Sequence, residues 1–243
     1  MLVKDRENVT RYLQSIVHYQ GKSVKALVSN PEEHAQVFWL RGEFYEVKGP
    51  GMLNKVWEMR DLPGPWVDIG ASIGNHTLFF SLVCGKRTIA IEPSVAFDHL
   101  RHNVAHNDAP VDLYHVAVGD YSGRCSIEQH YDVVEGKRVT QEGMRRVNED
   151  GDDTEMMRLD DVLAEVEPGL IKIDVEFYNA EVLRGAEDVL TRCSPKVFVE
   201  CPDDESLEET EDIMSGYGYT REPGVWNYTP TYLWSKDETD FGD

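Results

Sequence analysis

The stretch Trp66-Val67-Asp68-Ile69-Gly70-Ala71-Ser72-Ile73-Gly74-Asn75-His76-Thr77 decides the fold of this chain. It joins an apolar run to a turn with glycines and then to the apolar-periodic segment 78–83, which predicts the strand, tight loop and helix of one βα unit. About twenty residues further on, a second predicted strand over 88–91 ends on Glu92, where a carboxylate can hold both hydroxyls of a ribose. The two signals at this spacing predict a site for a nucleotide cofactor.

The charge of the first loop position indicates which nucleotide cofactor the loop binds. A dinucleotide fingerprint begins with a glycine and sets a pyrophosphate against the helix N-terminus, whereas this chain has Asp68 in that position. A carboxylate repels a pyrophosphate and attracts the ammonium and sulfonium groups of S-adenosylmethionine, so the pattern favours S-adenosylmethionine over NAD or FAD. The alternatives are an ordinary turn whose glycines only permit the bend, and an NAD-linked oxidoreductase.

Length and charge restrict the class of protein. The 243 residues suit one α/β domain of ordinary size with additional N-terminal structure. Lys and Arg number 24 and Asp and Glu 45, so the formal charge is −21 and we expect no nucleic-acid partner. The spread of acidic residues also resembles proteins adapted to high salt. Short basic clusters include Lys137-Arg138 and Arg145-Arg146.

Apolar patterning and cysteine spacing predict the compartment. No apolar stretch reaches 18 residues and segment 1–6 lacks the apolar part of a signal peptide, so we expect a soluble, cytoplasmic protein without a membrane partner. The cysteines lie far apart and form no C-x-x-C pair, which favours buried free thiols over a zinc site or a redox pair. They are Cys84, Cys125, Cys193 and Cys201.

The N-terminal quarter predicts an appendage to the catalytic sheet. Apolar residues at helical spacing predict an amphipathic helix over about 5–19. Two apolar runs, 36–40 and 44–47, flank a short glycine turn and predict a hairpin, and 54–59 predicts a short helix. We therefore divide the chain into an N-terminal helical and hairpin cap, residues 1–61, and a Rossmann-like S-adenosylmethionine-binding domain, residues 62–243.

From Trp66 onward, strand and helix signals alternate, which predicts an α/β fold with a parallel sheet and helices on both faces. The polar segment 135–154 predicts a long loop, which at this length is often functional or mobile. Predicted strands cover 66–69, 88–91, 111–118, 170–175 and 196–200, with a small hairpin over 125–134 and closing strands near 218–220 and 232–234. Predicted helices cover 94–106, 182–190 and 204–216.

Ordered blocks of this sequence resemble the FkbM-type methyltransferases, a branch of the S-adenosylmethionine-dependent enzymes with a Rossmann-like fold. The resemblance covers about residues 61–202, over half of the chain. The blocks are Val67 to Thr77, Ile91-Glu92-Pro93, Asn103-Val104 with Asn107, Ala117-Val118-Gly119-Asp120 with Gly123, Leu159-Asp160-Asp161-Val162, and Ile171-Lys172-Ile173-Asp174-Val175-Glu176 followed by Glu181-Val182-Leu183-Arg184-Gly185-Ala186.

The resemblance implies transfer of a methyl group from S-adenosylmethionine, usually to an oxygen of a sugar, polyketide or other natural product. It implies that the loop lines the methionine part of the cofactor, that Glu92 holds the ribose, and that Ala117-Val118 lies near the adenine. The predicted cofactor site is Asp68, Gly70, Ala71, Ser72, Gly74, Asn75, Glu92, Pro93, Ala117, Val118 and Asp174.

Three positions depart from the family pattern. Ser72 replaces a common asparagine, Phe177 a common glycine and Asn179 a common glutamate. The last two lie near the expected acceptor site, so a catalytically impaired S-adenosylmethionine-binding module is an alternative to an O-methyltransferase. A nucleic-acid or protein methyltransferase is the other alternative, which the acidic composition disfavours.

Carboxylates at the predicted strand ends are the candidate catalytic groups, because ligands of open α/β sheets bind there. Asp174 is the predicted acceptor-side carboxylate, with Glu176 and Glu200 as helpers. Such acids can equally cap loops or pair with Lys172. A metal held by the three carboxylates is a further alternative, and we predict none.

Histidines supply the remaining candidates. His99, His102 and His106 share one face of a predicted helix, for which a solvated surface is a better explanation than a metal site. His76, at the mouth of the cofactor loop, is either a functional group or part of the first helical turn.

Overall fold

Fourteen strands, numbered in chain order, lie in the part of the chain that the structure, a computed structural model, describes: residues 2–4, 11–134 and 137–236. They are β1 (Leu2–Lys4), β2 (Arg11–Tyr19), β3 (Lys22–Val28), β4 (Trp66–Ile69), β5 (Thr88–Ile91), β6 (Val111–Tyr114), β7 (Ala117–Gly119), β8 (Gly123–Val134), β9 (Lys137–Asn148), β10 (Thr154–Arg158), β11 (Leu170–Ile173), β12 (Lys196–Glu200), β13 (Thr220–Arg221) and β14 (Thr231–Ser235). Seven of them form the central sheet, in the order β13-β14-β12-β11-β4-β5-β6.

The topology of this sheet confirms the predicted α/β class. The strands from β12 to β6 run parallel, and β14 runs antiparallel to β12. The chain starts at β4, adds β5 and β6 on one side, and then crosses to add β11 and β12 on the other. This reversal creates a switch point between β4 and β11, where open α/β sheets bind their ligands.

Helices cover both faces of the sheet, so every residue of β4, β5 and β11 is buried. Neighbouring residues of β4 enter different clusters: Trp66 packs with Phe79 and Phe80, and Val67 packs on the opposite face. The helices are α1 (His34–Leu40), α2 (Met52–Glu58), α3 (Asn75–Leu78), α4 (Ala96–His106), α5 (Leu159–Val162), α6 (Asn179–Arg184), α7 (Glu187–Cys193) and α8 (Asp204–Gly216), and α3 continues into a π-helical segment, Phe79–Val83.

The helix predicted over 5–19 is wrong. Residues 5–10 lie outside the described part of the chain, and Arg11–Tyr19 is the central strand of an antiparallel sheet, β1-β2-β3. Gln20 and Gly21, with φ of 46° and 77°, form the tight turn that pairs β2 with β3. Tyr12 and Val17 are both buried although they lie on opposite faces of the strand. The apolar residues therefore do not alternate, and their spacing imitates a helix.

The predicted hairpin over 36–47 is also wrong, because its first half is α1. The carboxylate of Glu33 accepts the backbone N–H of Gln36 at 3.1 Å and caps this helix. Trp39 is fully buried, which anchors the helix on the central core. The short helix predicted over 54–59 is confirmed as α2.

Three later elements also differ from the prediction. The strand predicted over 111–118 is two strands, since β6 ends at Tyr114 and β7 joins a second sheet, β7-β10-β8-β9. The strands β8 and β9 form one long hairpin where a small hairpin and a loop were predicted, with residues 135–136 outside the described part. The crossover helix is divided into α6 and α7 at Gly185, where a Cβ would lie 1.8 Å from the carbonyl oxygen of Gly119. The helices predicted over 94–106 and 204–216 are confirmed.

Side-chain amides of α4 attach the N-terminal sheet to the central domain. The strand β3 pairs only with β2 among the described strands, so its other edge presents backbone groups that no strand satisfies. Asn103 accepts the N–H of Leu27 at 2.8 Å and donates to the carbonyl oxygen of Ile73, in the cofactor loop, also at 2.8 Å. Asn107 accepts from and donates to the backbone of Lys25. The N-terminal sheet and the cofactor loop therefore share one hydrogen-bond network.

All four cysteines are free thiols, as predicted; Cys125 and Cys201 are buried, and Cys84 and Cys193 are partly exposed. Within residues 2–4, 11–134 and 137–236, no helix combines the length and the apolar character needed to span a bilayer.

Candidate functional site

A cavity of ≈ 600 Å³ lies at the carboxyl ends of the parallel strands, at the switch point between β4 and β11. Its volume suits a cofactor-sized ligand. Of the predicted cofactor residues, nine line it: Gly70, Ala71, Ser72, Asn75, Glu92, Pro93, Ala117, Val118 and Asp174. The predicted catalytic carboxylates Asp174, Glu176 and Glu200 line it as well.

The floor of the cavity depends on a close approach of two backbones. Gly70 has φ of +73°, and a Cβ at this position would lie 1.9 Å from the carbonyl oxygen of Asp174. Only glycine lets the loop after β4 turn this close to the end of β11. The turn also places Ser72 in the left-handed region, with φ of +49°. Gly74, another predicted cofactor residue, does not line the cavity. A Cβ at this position would lie only 2.8 Å from Cδ1 of Leu100, so a glycine is needed for the packing of Leu100.

Glu92 is fixed at the end of β5 by two backbone donors. Its Oε2 accepts the N–H of Ser72 at 2.8 Å, and its Oε1 accepts the N–H of Ser94 at 2.9 Å. A carboxylate oxygen can accept more than one hydrogen bond, so both oxygens keep acceptor capacity toward the cavity that Glu92 lines. The geometry is that of a prearranged acceptor for vicinal hydroxyls.

Asp68 does not face the cavity, contrary to the role that the sequence pattern suggested. Its carboxylate is fully buried and accepts the hydroxyl of Thr77 at 2.6 Å. Its second partner is the buried Lys172, whose Nζ lies 3.2 Å from Asp68 and 3.2 Å from Asp174. The carboxylate of Asp68 is thus neutralised inside the protein and does not act on a ligand directly.

Lys172 also donates to the carbonyl oxygen of Gly70 at 3.1 Å, so one ammonium holds the loop and two carboxylates together. Burial opposes the charged form of Lys172, but Asp174 and Asp68 outweigh it and raise the pKa of the ammonium. Burial likewise opposes the charged form of Asp68, and Lys172 and His76 together lower its pKa below the ordinary value. The network is therefore ionised, and the alternative that Asp174 pairs with Lys172 is the arrangement found.

The other two carboxylates have raised pKa values. Burial, and then the charge of Asp174, raise the pKa of Glu176 to about 7. Burial, followed by Asp174 and Glu176, raises the pKa of Glu200 to about 9. At neutral pH Glu200 is protonated and can donate a hydrogen bond, whereas Glu176 is poised to accept a proton. Of Glu176 and Glu200, Glu176 has the pKa suited to a general base.

The contribution of Glu200 to stability should fall as pH rises, because its folded-state pKa lies above its unfolded value of 4.5. Such a group stabilises the folded state below about pH 4.5 and loses that contribution as pH rises through about 9. We expect Glu200→Gln to be at least about 1 kcal/mol more stable than the parent protein at pH 9. At pH 5 the variant and the parent protein should have about the same free energy of unfolding. Urea unfolding at both pH values measures this difference, and an equal gain at both would contradict it.

Residues before β4 complete the cavity, which sequence reasoning did not predict. Glu33, Ala35, Tyr45 and Glu46 line it. Asn75 fixes this wall by accepting the indole N–H of Trp39 and the backbone N–H of Tyr45, each at 3.1 Å. A pattern search could have found no signal here, because these side chains reach the cavity only through the fold of the N-terminal segment.

His76 pairs with the same wall. Its Nε2 lies 2.7 Å from the carboxylate of Glu46, and both side chains are largely buried. The ring therefore belongs both to the start of α3 and to the cavity lining. This contact attaches the N-terminal wall to the cofactor loop.

The second strand of the long hairpin supplies another wall that sequence reasoning missed. Arg145, Arg146 and Val147 of β9 line the cavity with Ile127 of β8. The guanidinium carbon of Arg146 lies 4.0 Å from the centre of the Phe177 ring. The pair Arg145-Arg146 was visible as a basic cluster, but only the pairing of β8 with β9 brings it to the cavity.

The helix face with three histidines is not a solvated surface. His99 is buried, and its ring nitrogens lie within hydrogen-bond distance of Leu27 and Ser29 in the N-terminal segment. His106 faces Gln14 at 2.8 Å. Burial lowers the pKa of His99 to about 4, so its ring is neutral. Across the described ranges of the chain, no group of three or more His, Cys, Asp or Glu side chains is arranged to hold a metal ion.

Comparison with protein families relates this geometry to known enzymes. Residues 68–220, more than half of the chain, match the methyltransferase FkbM domain. The chain belongs to the FkbM methyltransferase family. It therefore contains a methyltransferase domain, as its sequence blocks predicted. A search of curated proteins finds no match.

Three solved structures are similar to this FkbM chain. A methyltransferase FkbM from Methylobacillus flagellatus is 22% identical, with a TM-score of 0.48 over 71% of this chain and 43% of its own. A putative transferase from Pyrococcus horikoshii is 14% identical, with a TM-score of 0.52 over 92% and 72%. A tRNA (uracil-54, C5)-methyltransferase from Pyrococcus abyssi, solved with S-adenosyl-L-homocysteine, is 12% identical, with a TM-score of 0.47 over 92% and 43%. The chain spans less than half the length of the first and third, and the likeness to the second, at 14% identity, concerns the fold alone.

The two departures of this FkbM chain at residues 177 and 179 differ in their structural effect. Phe177 keeps the backbone that a glycine would adopt, with φ of +61°, at a cost of about 1 kcal/mol. Asn179 accepts the N–H of Val175 at 3.0 Å and donates to the carbonyl oxygen of Glu200 at 2.7 Å. A glutamate carboxylate has no N–H to donate, so it could not make the bond to Glu200 by which Asn179 connects the ends of β11 and β12.

Proposed function

We propose that the protein is an S-adenosylmethionine-dependent methyltransferase that methylates a hydroxyl of a sugar, glycan or other small natural product. The observation that carries this proposal is the fixed carboxylate of Glu92 beside the loop at Gly70, in the cavity at the switch point. Membership of the FkbM family supports the reaction type.

The residues of the cavity fit this cofactor. The backbone from Gly70 to Ser72 would hold the methionine part, Glu92 the ribose, and the segment 116–118 the adenine. The loop at Gly70 has no space for a side chain, so the backbone itself forms the cradle. Carboxylates also surround the cavity, and they favour a cationic ligand over a pyrophosphate. With Asp68 neutralised by Lys172, this preference rests on Asp174, Glu92 and the neighbouring acids.

The protein's own residues would supply proton transfer and alignment. When bound, S-adenosylmethionine supplies an electrophilic methyl group on a good leaving group. Glu176 accepts the proton of the acceptor hydroxyl, and its pKa of about 7 suits this role. Lys172 keeps Asp174 in place, and the protonated Glu200 can donate to an acceptor oxygen. Holding the hydroxyl close and aligned supplies most of the remaining acceleration.

Calorimetric titration in low and in molar salt tests the cofactor assignment. We expect S-adenosylmethionine and S-adenosylhomocysteine to bind at about micromolar Kd, and NAD not to bind. Glu92→Ala should weaken binding at least about 10-fold, because it removes hydrogen bonds from a charged acceptor. Glu92→Gln, which keeps the size and one acceptor oxygen, separates this loss from a displaced loop. Glu32→Ala, on an exposed residue outside the cavity, is the matched control.

The same titration can refute the proposal. Binding of NAD alone, or of none of the three compounds at either salt concentration, would contradict the cofactor assignment. Transfer of a labelled methyl group to RNA, measured in parallel with sugars, would instead favour a nucleic-acid methyltransferase. Equal stability in dilute buffer and in molar salt would remove the argument for adaptation to high salt.

A further inference from the structure

Arg145 and Arg146, in the cavity wall, have no carboxylate partner among the residues that the structure describes. In the described part of the chain, no Asp or Glu oxygen lies within 4.0 Å of the guanidinium nitrogens of Arg145 or Arg146. Arg87, Arg101, Arg158, Arg184, Arg192 and Arg221 do have such a partner, whereas Arg41, Arg60 and Arg124 contact rings or backbone carbonyls, and none of these nine lines the cavity. What distinguishes Arg145 and Arg146 is their place in the cavity wall of a chain with a formal charge of −21, where a bound anion can pair with them.

The partner strand of the hairpin does not satisfy them either. Glu128 lies directly opposite Arg146 in the β8–β9 ladder, but its carboxylate accepts the amide of Asn148 at 2.7 Å. Gln129, opposite Arg145, is uncharged. Both residues line the cavity; adjacent residues of a strand point to opposite faces, and the contact with Phe177 places the guanidinium of Arg146 at the cavity wall.

Phe177 holds one of these guanidinium groups in a defined orientation. The Arg146 guanidinium lies over the Phe177 ring, and such stacking leaves the N–H groups in its plane available to an anion. Phe177 has a left-handed backbone, which is unfavourable for a residue with a Cβ. Strain of this kind persists where a side chain has a function, and here the ring is half exposed at the cavity.

These groups adjoin the base of the proposed reaction. Glu176 directly precedes Phe177, and both line the cavity. The geometry points to an acceptor with an anionic group, a carboxylate, phosphate or sulfate, which Arg145 and Arg146 bind while its hydroxyl lies at Glu176. The acceptor class is thus a hydroxylated anion such as a sugar acid or a sugar phosphate. This inference rests on the proposed methyl transfer for the identity of the hydroxyl.

Matched sugars test the anion site by calorimetry. The probes are glucose, glucuronate and glucose 6-phosphate, titrated into the protein saturated with S-adenosylhomocysteine and into the protein alone. We expect the anionic sugars to bind at least about 10-fold more tightly than glucose, and molar salt to reduce this advantage. Comparison of the two anions tells a carboxylate site from a phosphate site.

The variant that carries the test is Arg145→Gln with Arg146→Gln, which should remove most of the advantage of the anions. Arg101→Gln is the control, since this arginine lies on the exposed side of α4, pairs with Asp98 and does not line the cavity. Both variants should bind S-adenosylhomocysteine as the parent does. Single variants then show whether Arg146, stacked on Phe177, contributes more than Arg145.

Three results would overturn the anion site. They are equal or undetectable binding of the anions relative to glucose, survival of the advantage in the double variant, and weaker S-adenosylhomocysteine binding in that variant. The last would assign the arginines to the carboxylate of the cofactor. Failure of the parent protein to bind S-adenosylhomocysteine would contradict the proposed function instead, and the titrations without cofactor would still decide the anion site.

Discussion

Replacing Glu176 with glutamine should lower kcat about 10²- to 10⁴-fold, because it removes the group that we propose accepts the proton of the acceptor hydroxyl. The affinity for S-adenosylmethionine should change little, since Glu92 and the loop at Gly70 carry the contacts expected for the cofactor. In the parent protein, activity should rise with pH and level off above about 7, the pKa of Glu176. The glutamine variant should lose this rise.

The titration of Glu176 can be measured before an acceptor is known. Glutamate labelled at the side-chain carboxyl carbon gives an NMR signal for each glutamate, and the signal missing in Glu176→Gln identifies the residue. Its midpoint should lie near pH 7, and Asp174→Asn should lower it, because Asp174 contributes to the raised pKa. Glu187→Gln, on an exposed residue of α7, should leave both the titration and turnover unchanged. A midpoint near the ordinary glutamate value would contradict the role of Glu176.

Replacing Lys172 with methionine should destabilise the protein by about 3–5 kcal/mol, because two carboxylates lose the cation between them. The carboxylate of Asp68 is fully buried and cannot be solvated, and the carboxylate of Asp174 would lie close to it with no cation between the two. For a chain of this length the loss corresponds to a fall of about 10 °C in Tm. Thermal unfolding followed by circular dichroism at pH 7 measures it.

A second lysine provides the matched control for this experiment. Lys196 pairs with Glu222 at 2.7 Å, but both side chains are about one third exposed. Lys196→Met should therefore cost less than about 1 kcal/mol. Adding Asp68→Asn to Lys172→Met should recover part of the loss, because it removes the charge left buried. Equal effects of the two lysine variants would show that the Lys172 network does not stabilise the fold.

The central sheet could be predicted from the sequence because its strands are buried on both faces. Runs such as Thr88–Ile91 are continuously apolar and flanked by turn residues, so their pattern does not depend on a partner. The strand β2 could not be predicted in this way, since Tyr12 packs against the histidines of α4 while Val17 enters the main core. Tertiary contacts on two faces gave it the spacing of a helix.

The candidate site was predictable where it follows strand ends and not where distant segments form it. Glu92, Asp174 and Glu200 each come directly after or at the end of a parallel strand, so topology alone brings them together. Tyr45 and Arg146 reach the same cavity through a helix and a hairpin whose docking leaves no local pattern. The burial of Asp68 was equally invisible, because it depends on Lys172 from a strand more than a hundred residues away.

The amide of Asn103 couples the outer sheet to the loop after β4, and the amide of Asn107 adds a second bond to the same strand, β3. Asn103 bonds to Leu27 in the outer sheet and to Ile73 in the loop, so a substitution that shifts β3 also shifts the backbone beside the cavity. A change far from any ligand can therefore alter cofactor affinity. Substitutions in β3 can thus affect the cavity although, among the described residues, none before Glu33 lines it.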